Sequence, residues 1–169
     1  GLRDGQTLIN SCRGGVFDNA ALLAGIQNGK KLHLVMDVWE NEPEVNTELM
    51  ALCEIATAHI AGYSLEGKGR GTEILYQQLC QLMGRESTTL LDQFLPEYVI
   101  SNIKIEGDLG LAQIKPLVHA VYDVRRDDAL LRTKFGPTGA FDKLRKQYPQ
   151  RRELSAVKII TGNEQQKQA

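Results

Sequence analysis

Three short apolar segments in the first third of the chain alternate with stretches of helical spacing. The segments are QTLIN (6–10), LHLVM (32–36) and EIATA (54–58), and the helical pattern AALLAGIQNGK (20–30), with Asp18 or Asn19 as its N-cap, separates the first two. This alternation predicts strand–helix–strand crossovers and hence a parallel sheet, because successive parallel strands need a long return connection. Short, apolar strands are typical of sheets covered on both faces. The expected fold class is therefore α/β.

Two further helical segments are expected before residue 84. A helical turn is expected over residues 47–52, and a long helix from about Leu65 to Met83. The long helix is indicated by apolar residues at helical spacing, namely Ile74, Leu75, Leu79 and Leu82. Gly84 is a typical helix terminator. The glycine-rich stretch GKGRGT (67–72) fails the G-x-G-x-x-G pattern at Thr72, so we interpret it as the opening of this helix.

The second half of the chain has a different order of elements. RESTTLLDQFLP (85–96) is polar, contains a proline and is interpreted as a linker. A strand pattern (98–107), three helical patterns and a final strand pattern (152–162) follow, and Pro116 is placed near the start of the first of these helices. This β-α-α-α-β order predicts a small α+β module. We therefore predict two domains, residues 1–86 and 87–169, with a polar, frayed ending NEQQKQA (163–169).

The bulk composition narrows the possible functions. The chain has 42% hydrophobic and 24% charged residues and a formal net charge of −1, which gives no global field for nucleic acid or an anionic membrane. No apolar run approaches the roughly 20 residues of a membrane helix. Basic residues between Lys115 and Lys158 are interleaved with Asp123, Asp127 and Asp128. We interpret them as a solvated or dimer-forming face, with attraction of a phosphorylated substrate as the alternative.

The cysteines and the chain's first residues carry two expectations. Cys12, Cys53 and Cys80 form no C-x-x-C pair and sit in apolar surroundings, which favours reduced thiols in a cytoplasmic protein over a disulfide or metal framework. No metal site is expected. The chain opens GLRDGQTLIN, without Met, and enters a strand pattern at once. We therefore expect these residues to be part of a longer polypeptide.

Polar residues of catalytic type follow each of the first three strand patterns. Arg13 follows the first, Asp37 and then Glu42 follow the second, and His59 follows the third. Because parallel strands place their carboxyl ends at one edge, where open α/β sheets bind ligands, we expect these side chains to converge. Trp39 is expected to pack beside them, whereas His33 and His119 lie in apolar patterns and are interpreted as structural.

The chemistry of this set is coherent. Histidine takes and returns protons near neutral pH, and a carboxylate on its second ring nitrogen fixes the tautomer. Arginine holds a carboxylate through two parallel hydrogen bonds. The set suits a substrate that carries a carboxylate beside a hydroxyl or carbonyl group. The residues alone leave simpler interpretations open: Arg13 as a surface arginine, His59 as a loop histidine and Glu42 as a solvated turn acid.

Three motifs in this region resemble the NAD-binding domain of the D-2-hydroxyacid dehydrogenases. They are INSCRGG, MDVWENEP and TAHIAGYS, in the family's order and with its approximate spacing. The resemblance implies the second half of a Rossmann-type domain, with the dinucleotide fingerprint upstream of residue 1. The family usually has proline where this chain has Ala58. This departure concerns the rigidity of the turn before the histidine.

The resemblance also implies a role for each matching residue. Arg13 binds the substrate carboxylate, polarises the reacting oxygen and borders the cofactor; His59 is the acid/base, and Glu42 orients it. Asp37 bonds the nicotinamide carboxamide of NAD, while Tyr63 contacts the substrate. The remaining cofactor-binding residues implied are Ser11, Cys12 and Gly62.

The second half resembles the carboxyl-terminal dimerisation module of one branch of this family. The segments concerned are HAVYDVRRDDALLR and GAFDKLRKQY, with the RRE that follows, and the ending NEQQKQA departs from the branch. That branch oxidises a phosphorylated 2-hydroxy acid in vitamin B6 synthesis. The resemblance to its dimerisation module implies a homodimer. The alternatives are another dehydrogenase of the family, such as a phosphoglycerate type, and a non-catalytic NAD-binding dimerisation protein. On either enzymatic interpretation, these 169 residues alone are expected to be inactive.

Overall fold

The structure, a computed structural model, describes residues 1–161, which form five strands and six α-helices. The strands are β1 (Gln6–Asn10), β2 (Leu32–Met36), β3 (Ile55–Ala56), β4 (Asn102–Ile105) and β5 (Lys158–Thr161). The helices are α1 (Asn19–Gln27), α2 (Thr47–Leu52), α3 (Leu65–Leu82), α4 (Leu111–Val121), α5 (Arg125–Lys134) and α6 (Ala140–Lys146). The predicted polar ending, residues 163–169, lies outside the described residues.

The contacts group the chain into two compact units. One contains residues 1–61 and 124–148, and the other contains residues 62–123 and the segment that begins at Pro149. Helices α5 and α6 are therefore grouped with the first three strands. The predicted domain boundary at residue 86 follows sequence order and remains a prediction.

The first unit is built on a parallel sheet in the order β1-β2-β3. Its core contains Leu34 and Met36 of β2, Leu49 of α2, Leu131 of α5 and Phe141 of α6, each at most 1% exposed. Burying side chains of this size contributes about 1.5–3 kcal/mol each. Parallel pairing within a mixed α/β fold, as predicted, is confirmed.

Side-chain caps explain where the helices of the first unit begin. Asp18 accepts a hydrogen bond from the amide of Ala21 at the start of α1, as its predicted N-cap role requires, and Asn46 accepts one from Leu49 at the start of α2. Glu40 also accepts from the amide of Asn19 at 3.0 Å. Both helices thus start where a carboxylate or amide oxygen satisfies an otherwise unpaired backbone N–H group.

The second unit contains α3, α4 and the parallel pair β4–β5. Ser64 caps α3 by accepting from Gly67, and the glycine-rich stretch lies inside this helix as predicted. Arg152 donates to buried Glu66 at 2.6 Å and also to the carbonyl of Pro96. Burial raises the pKa of Glu66, but the bonds from Arg152 and from the backbone outweigh it, so the pKa lies below the usual 4.5.

Several predicted features differ from the structure. β3 has two residues instead of five, and β4 and β5 are shorter than their patterns. Pro116 lies in the middle of α4 instead of near its start. His33, which lies in an apolar sequence pattern and was interpreted as structural, is exposed on β2 and pairs with Glu54. Among the described residues, no helix is both long and apolar enough to cross a membrane.

Candidate active site

The centre of the candidate site is a histidine–carboxylate pair at the carboxyl edge of the sheet. The Nδ1 atom of His59 lies 2.7 Å from Oε2 of Glu42, and the other oxygen of Glu42 accepts from the amide of Trp39 at 2.8 Å. A carboxylate only accepts hydrogen bonds, so Nδ1 of His59 is the donor and Nε2 is left to accept a proton. Glu42 is therefore held by the backbone on one side and by the imidazole on the other.

Asp37 holds the backbone around His59. Its Oδ1 accepts from the hydroxyl of Thr57 at 2.6 Å and from the amide of Ile60 at 2.8 Å, and its Oδ2 accepts from the amide of Ala61 at 3.0 Å. The amide of His59 donates to the carbonyl of Asp37 at 2.7 Å. One aspartate thus fixes residues on both sides of the histidine.

The backbone of His59 is in the left-handed region, with φ at 53°. This conformation costs a non-glycine residue about 1–2 kcal/mol, so the surroundings must stabilise it. The bonds to Asp37 supply that stabilisation. Trp39 adds a bond from its Nε1 atom to the carbonyl of Thr57 at 2.9 Å, and it packs beside the site as predicted.

Arg13 lies in the turn after β1. Buried Asn10 shapes this turn, since its side chain accepts from the amide of Cys12 and donates to the carbonyl of Arg13, both at 3.2 Å. The guanidinium of Arg13 donates to the carbonyl of Cys12 at 2.7 Å, and Ser11, Cys12 and Arg13 are exposed. These three side chains are accessible to a ligand, in contrast to the apolar surroundings expected for Cys12.

Gly14 brings the turn after β1 against the end of β2. A Cβ atom at Gly14 would overlap the backbone carbonyl of Trp39, whereas one at Gly15 would meet nothing within 4 Å. Only glycine permits this approach. The backbone beside Arg13 is therefore in contact with the segment that leads to Glu42.

The structure brings only some of the sequence-predicted site residues into contact with one another. It joins Glu42 to His59 and Asp37 to the histidine's loop, while Arg13 occupies the neighbouring turn with its own backbone contact. Gly62 and Tyr63 belong to the second compact unit, where the Nζ atom of Lys68 lies 4.8 Å from the Tyr63 ring centre. Their predicted cofactor and substrate contacts remain predictions.

Sequence reasoning missed Asn10 and Thr57, which organise the site without being obvious catalytic types. An asparagine at a strand end before Ser-Cys-Arg-Gly is a recognisable turn signal, because asparagine bonds to the backbone two residues later. Thr57 had no such signal, since a β-branched residue in a strand pattern is expected anyway. Glu40 also accepts a hydrogen bond at the start of α1.

The cysteines match the expectation of free thiols. All three are free, with Cys12 exposed and Cys53 and Cys80 buried. Burial raises the pKa of the Cys53 thiol to about 12, which keeps it neutral and unreactive near neutral pH. No group of three or more potential metal ligands occurs within residues 1–161.

The site residues fit a nicotinamide dinucleotide. Ser11 and Cys12 present exposed groups at the carboxyl end of a parallel strand, which is where such sheets bind dinucleotides. Among the residues that the structure describes, Ala61 alone donates to Oδ2 of Asp37, and this oxygen has capacity for a further donor, such as a carboxamide N–H.

Two family models match separate parts of this chain. Residues 1–61 match the family "D-isomer specific 2-hydroxyacid dehydrogenase, NAD binding domain", and residues 94–169 match a domain of unknown function. The match to the NAD-binding family contains Arg13, Asp37, Glu42 and His59.

Curated relatives cover nearly all of this chain. The erythronate-4-phosphate dehydrogenase of Proteus mirabilis is 51% identical over 162 residues, which are 96% of this chain and 43% of the relative. The enzymes of the same name from Pectobacterium carotovorum and Escherichia coli K12 are 51% and 50% identical, over 95% and 94% of this chain and 42% of each relative. The chain thus spans less than half the length of these relatives. Its first 61 residues match the NAD-binding domain of the D-isomer specific 2-hydroxyacid dehydrogenases.

Proposed function

We propose that the polypeptide carrying this chain oxidises 4-phospho-D-erythronate with NAD. The product is the 2-oxo acid 3-hydroxy-2-oxo-4-phosphooxybutanoate, an intermediate of vitamin B6 (pyridoxine) biosynthesis. The observation that carries the proposal is the Glu42–His59 pair, 2.7 Å apart and bound at the edge of a parallel sheet. About 50% identity to relatives named erythronate-4-phosphate dehydrogenase supports the choice of substrate.

His59 serves as the general base in this proposal. Its Nε2 atom accepts the proton of the substrate's 2-hydroxyl group as the C2–O bond becomes a carbonyl. Bound NAD would supply the acceptor for the hydride that leaves C2. Glu42, on Nδ1, holds the ring in the tautomer that leaves Nε2 free and stabilises the imidazolium that forms.

Arg13 binds the substrate carboxylate and stabilises negative charge on the reacting oxygen. A guanidinium group suits both tasks because it remains charged and donates in a planar fork. Ser11, Cys12 and Gly62 border the cofactor, Asp37 bonds its carboxamide, and Tyr63 contacts the substrate. The exposure of Ser11, Cys12 and Arg13 supports these assignments.

The assembly and location belong to the same proposal. Residues 87–169 form a dimerisation domain, so the protein is a homodimer, and residues 1–86 are the carboxyl-terminal half of the NAD-binding domain. The protein is cytoplasmic, in keeping with three free cysteines among the described residues. The 169 residues alone are inactive, because the fingerprint and the substrate domain lie outside them.

A substrate comparison tests this proposal. A polypeptide of the relatives' full length that carries this sequence is assayed for NAD reduction with erythronate 4-phosphate and with 3-phosphoglycerate. We expect kcat/KM to favour erythronate 4-phosphate by at least about 100-fold, because a site fitted to one substrate's polar groups rejects an analogue. Preference for 3-phosphoglycerate would assign the protein to another branch of the family. NAD binding without turnover of either acid would indicate a non-catalytic protein.

A further inference from the structure

Strand β3, which leads to His59, is short and lies at an edge of the sheet. It consists of Ile55 and Ala56, and within residues 1–161 it pairs with β2 alone. The amides of Thr57 and His59 donate toward β2, to the carbonyls of Met36 and Asp37. A two-residue edge strand has little pairing of its own, and its outer side needs another partner.

That partner is a side chain of α5. The amide of Ala56 donates to Oδ1 of Asp128 at 2.7 Å, across 72 residues of sequence. Ala56 is completely buried, so its amide has no access to water as an alternative acceptor. Asp128 therefore takes the place that a neighbouring strand would otherwise occupy.

Arg132, one turn later on α5, fixes Asp128 and anchors α5 to α2. Its Nε atom lies 2.9 and 3.0 Å from the two oxygens of Asp128. Its two terminal nitrogens donate to the carbonyls of Met50 and Cys53, at 2.9 and 2.8 Å. These carbonyls lie at the carboxyl end of α2, where a cation is favoured by the helix dipole.

We propose that Asp128 and Arg132 are positioning residues for His59, and that the region of unknown function thereby contributes to the dehydrogenase site. The clamp formed by Asp128 and Arg132 fixes β3 three residues before the histidine. The core residue Leu131, 1% exposed on the same helix, keeps α5 against the sheet. This inference rests on the proposed function, and it gives the segment 124–148 a task beyond dimerisation.

Asp128→Ala, Asp128→Asn and Arg126→Gln in the full-length protein test the clamp. Asparagine keeps an oxygen that can accept from Ala56, and Arg126 is exposed on the same helix. For Asp128→Ala we expect kcat per folded molecule to fall about 10-fold, with KM within about twofold, because small misplacements of catalytic groups reduce turnover steeply. Asp128→Asn should recover most of the loss, and Arg126→Gln should match the parent protein.

Two further measurements do not depend on turnover. The Ala56 amide should be protected from hydrogen exchange in the parent protein, and the ring resonances of His59 should move in Asp128→Ala but not in Arg126→Gln. Unchanged kcat and His59 resonances in folded Asp128→Ala would overturn the clamp, as would rapid exchange at Ala56. A parent protein without dehydrogenase activity refutes the proposed function instead, and the exchange and resonance data then decide on the clamp.

Discussion

The imidazole of His59 and the carboxylate of Glu42 are joined through Nδ1 at 2.7 Å, although 17 residues separate them in sequence. Glu42→Gln replaces the accepting carboxylate with a neutral amide that cannot stabilise an imidazolium. We expect kcat to fall about 100-fold or more, with a smaller change in KM, in steady-state assays of the full-length protein. Glu44→Gln, at an exposed acid two residues away, is the matched control, and equal activity of the two variants would contradict the role of Glu42.

Replacing the histidine itself should have a similar or larger effect. His59→Ala removes the base, and we expect turnover to fall by about 100-fold or more. His33→Ala is the control, because His33 is an exposed histidine on β2 that pairs with Glu54 outside the site. Near-normal turnover in His59→Ala would refute the assignment of the base.

Asp37 should matter for stability as well as for catalysis. Both oxygens of Asp37 accept hydrogen bonds from Thr57, Ile60 and Ala61. In Asp37→Asn an NH2 group replaces one of these oxygens, so it faces a hydrogen-bond donor instead of accepting from it. We expect the free energy of unfolding to fall by about 1–3 kcal/mol, measured by chemical denaturation. Asp142→Asn, on the first turn of α6, should change it by less than about 0.5 kcal/mol. Equal stability of the two variants would show that Asp37 does not hold the loop.

Two adjacent glycines offer a steric test of the turn after β1. Gly14→Ala would place a methyl group against the Trp39 carbonyl, and we expect it to cost about 1–3 kcal/mol and lower the Tm by several degrees. Gly15→Ala meets open space and should be nearly neutral. Thermal unfolding of the two variants is the measurement, and the prediction fails if Gly14→Ala is as stable as Gly15→Ala.

The ion pair of Glu66 and Arg152 predicts a stability loss in acid. The pKa of Glu66 is lowered in the folded state, so the unfolded chain binds the proton first as the pH falls. The stabilisation is therefore complete above the unfolded value near 4.5 and is lost as the pH falls through the folded pKa. Denaturation between about pH 6 and pH 3 should show a shallower decline for Glu66→Gln than for the parent protein. Glu86→Gln, at an exposed site, should keep the parent's slope.

Local signals explain which parts of the fold could be predicted from sequence. α3 was predicted to within one residue because its apolar residues recur at helical spacing and Gly84 marks its end. β1 and β2 were predicted with the correct bounds because each contains adjacent aliphatic residues and is followed by a polar segment. Because parallel strands have their carboxyl ends at one edge of the sheet, Arg13 and Asp37 could then be assigned to the same edge.

The remaining features depend on contacts between distant residues. β3 was predicted too long because its outer edge is satisfied by Asp128, 72 residues away, and no strand pattern reports such a partner. The bonds of Asp37 to Thr57, Ile60 and Ala61 are equally invisible in sequence, since an acid at a strand end is compatible with many partners. The exposure of His33 was likewise not evident from sequence, because its neighbours on β2 are apolar.

Ala58 stands where the family usually has a proline. This departure matters because Asp37 holds the turn around His59 by hydrogen bonds. A proline would restrict the turn before His59 covalently, in the folded and unfolded chain alike. Here the turn is restricted by hydrogen bonds that exist only once β2 and β3 are paired. When this sheet edge opens locally, His59 therefore loses its left-handed conformation at the same time. Under the proposed function, the ability of His59 to act as a base therefore depends on the cooperative stability of this edge.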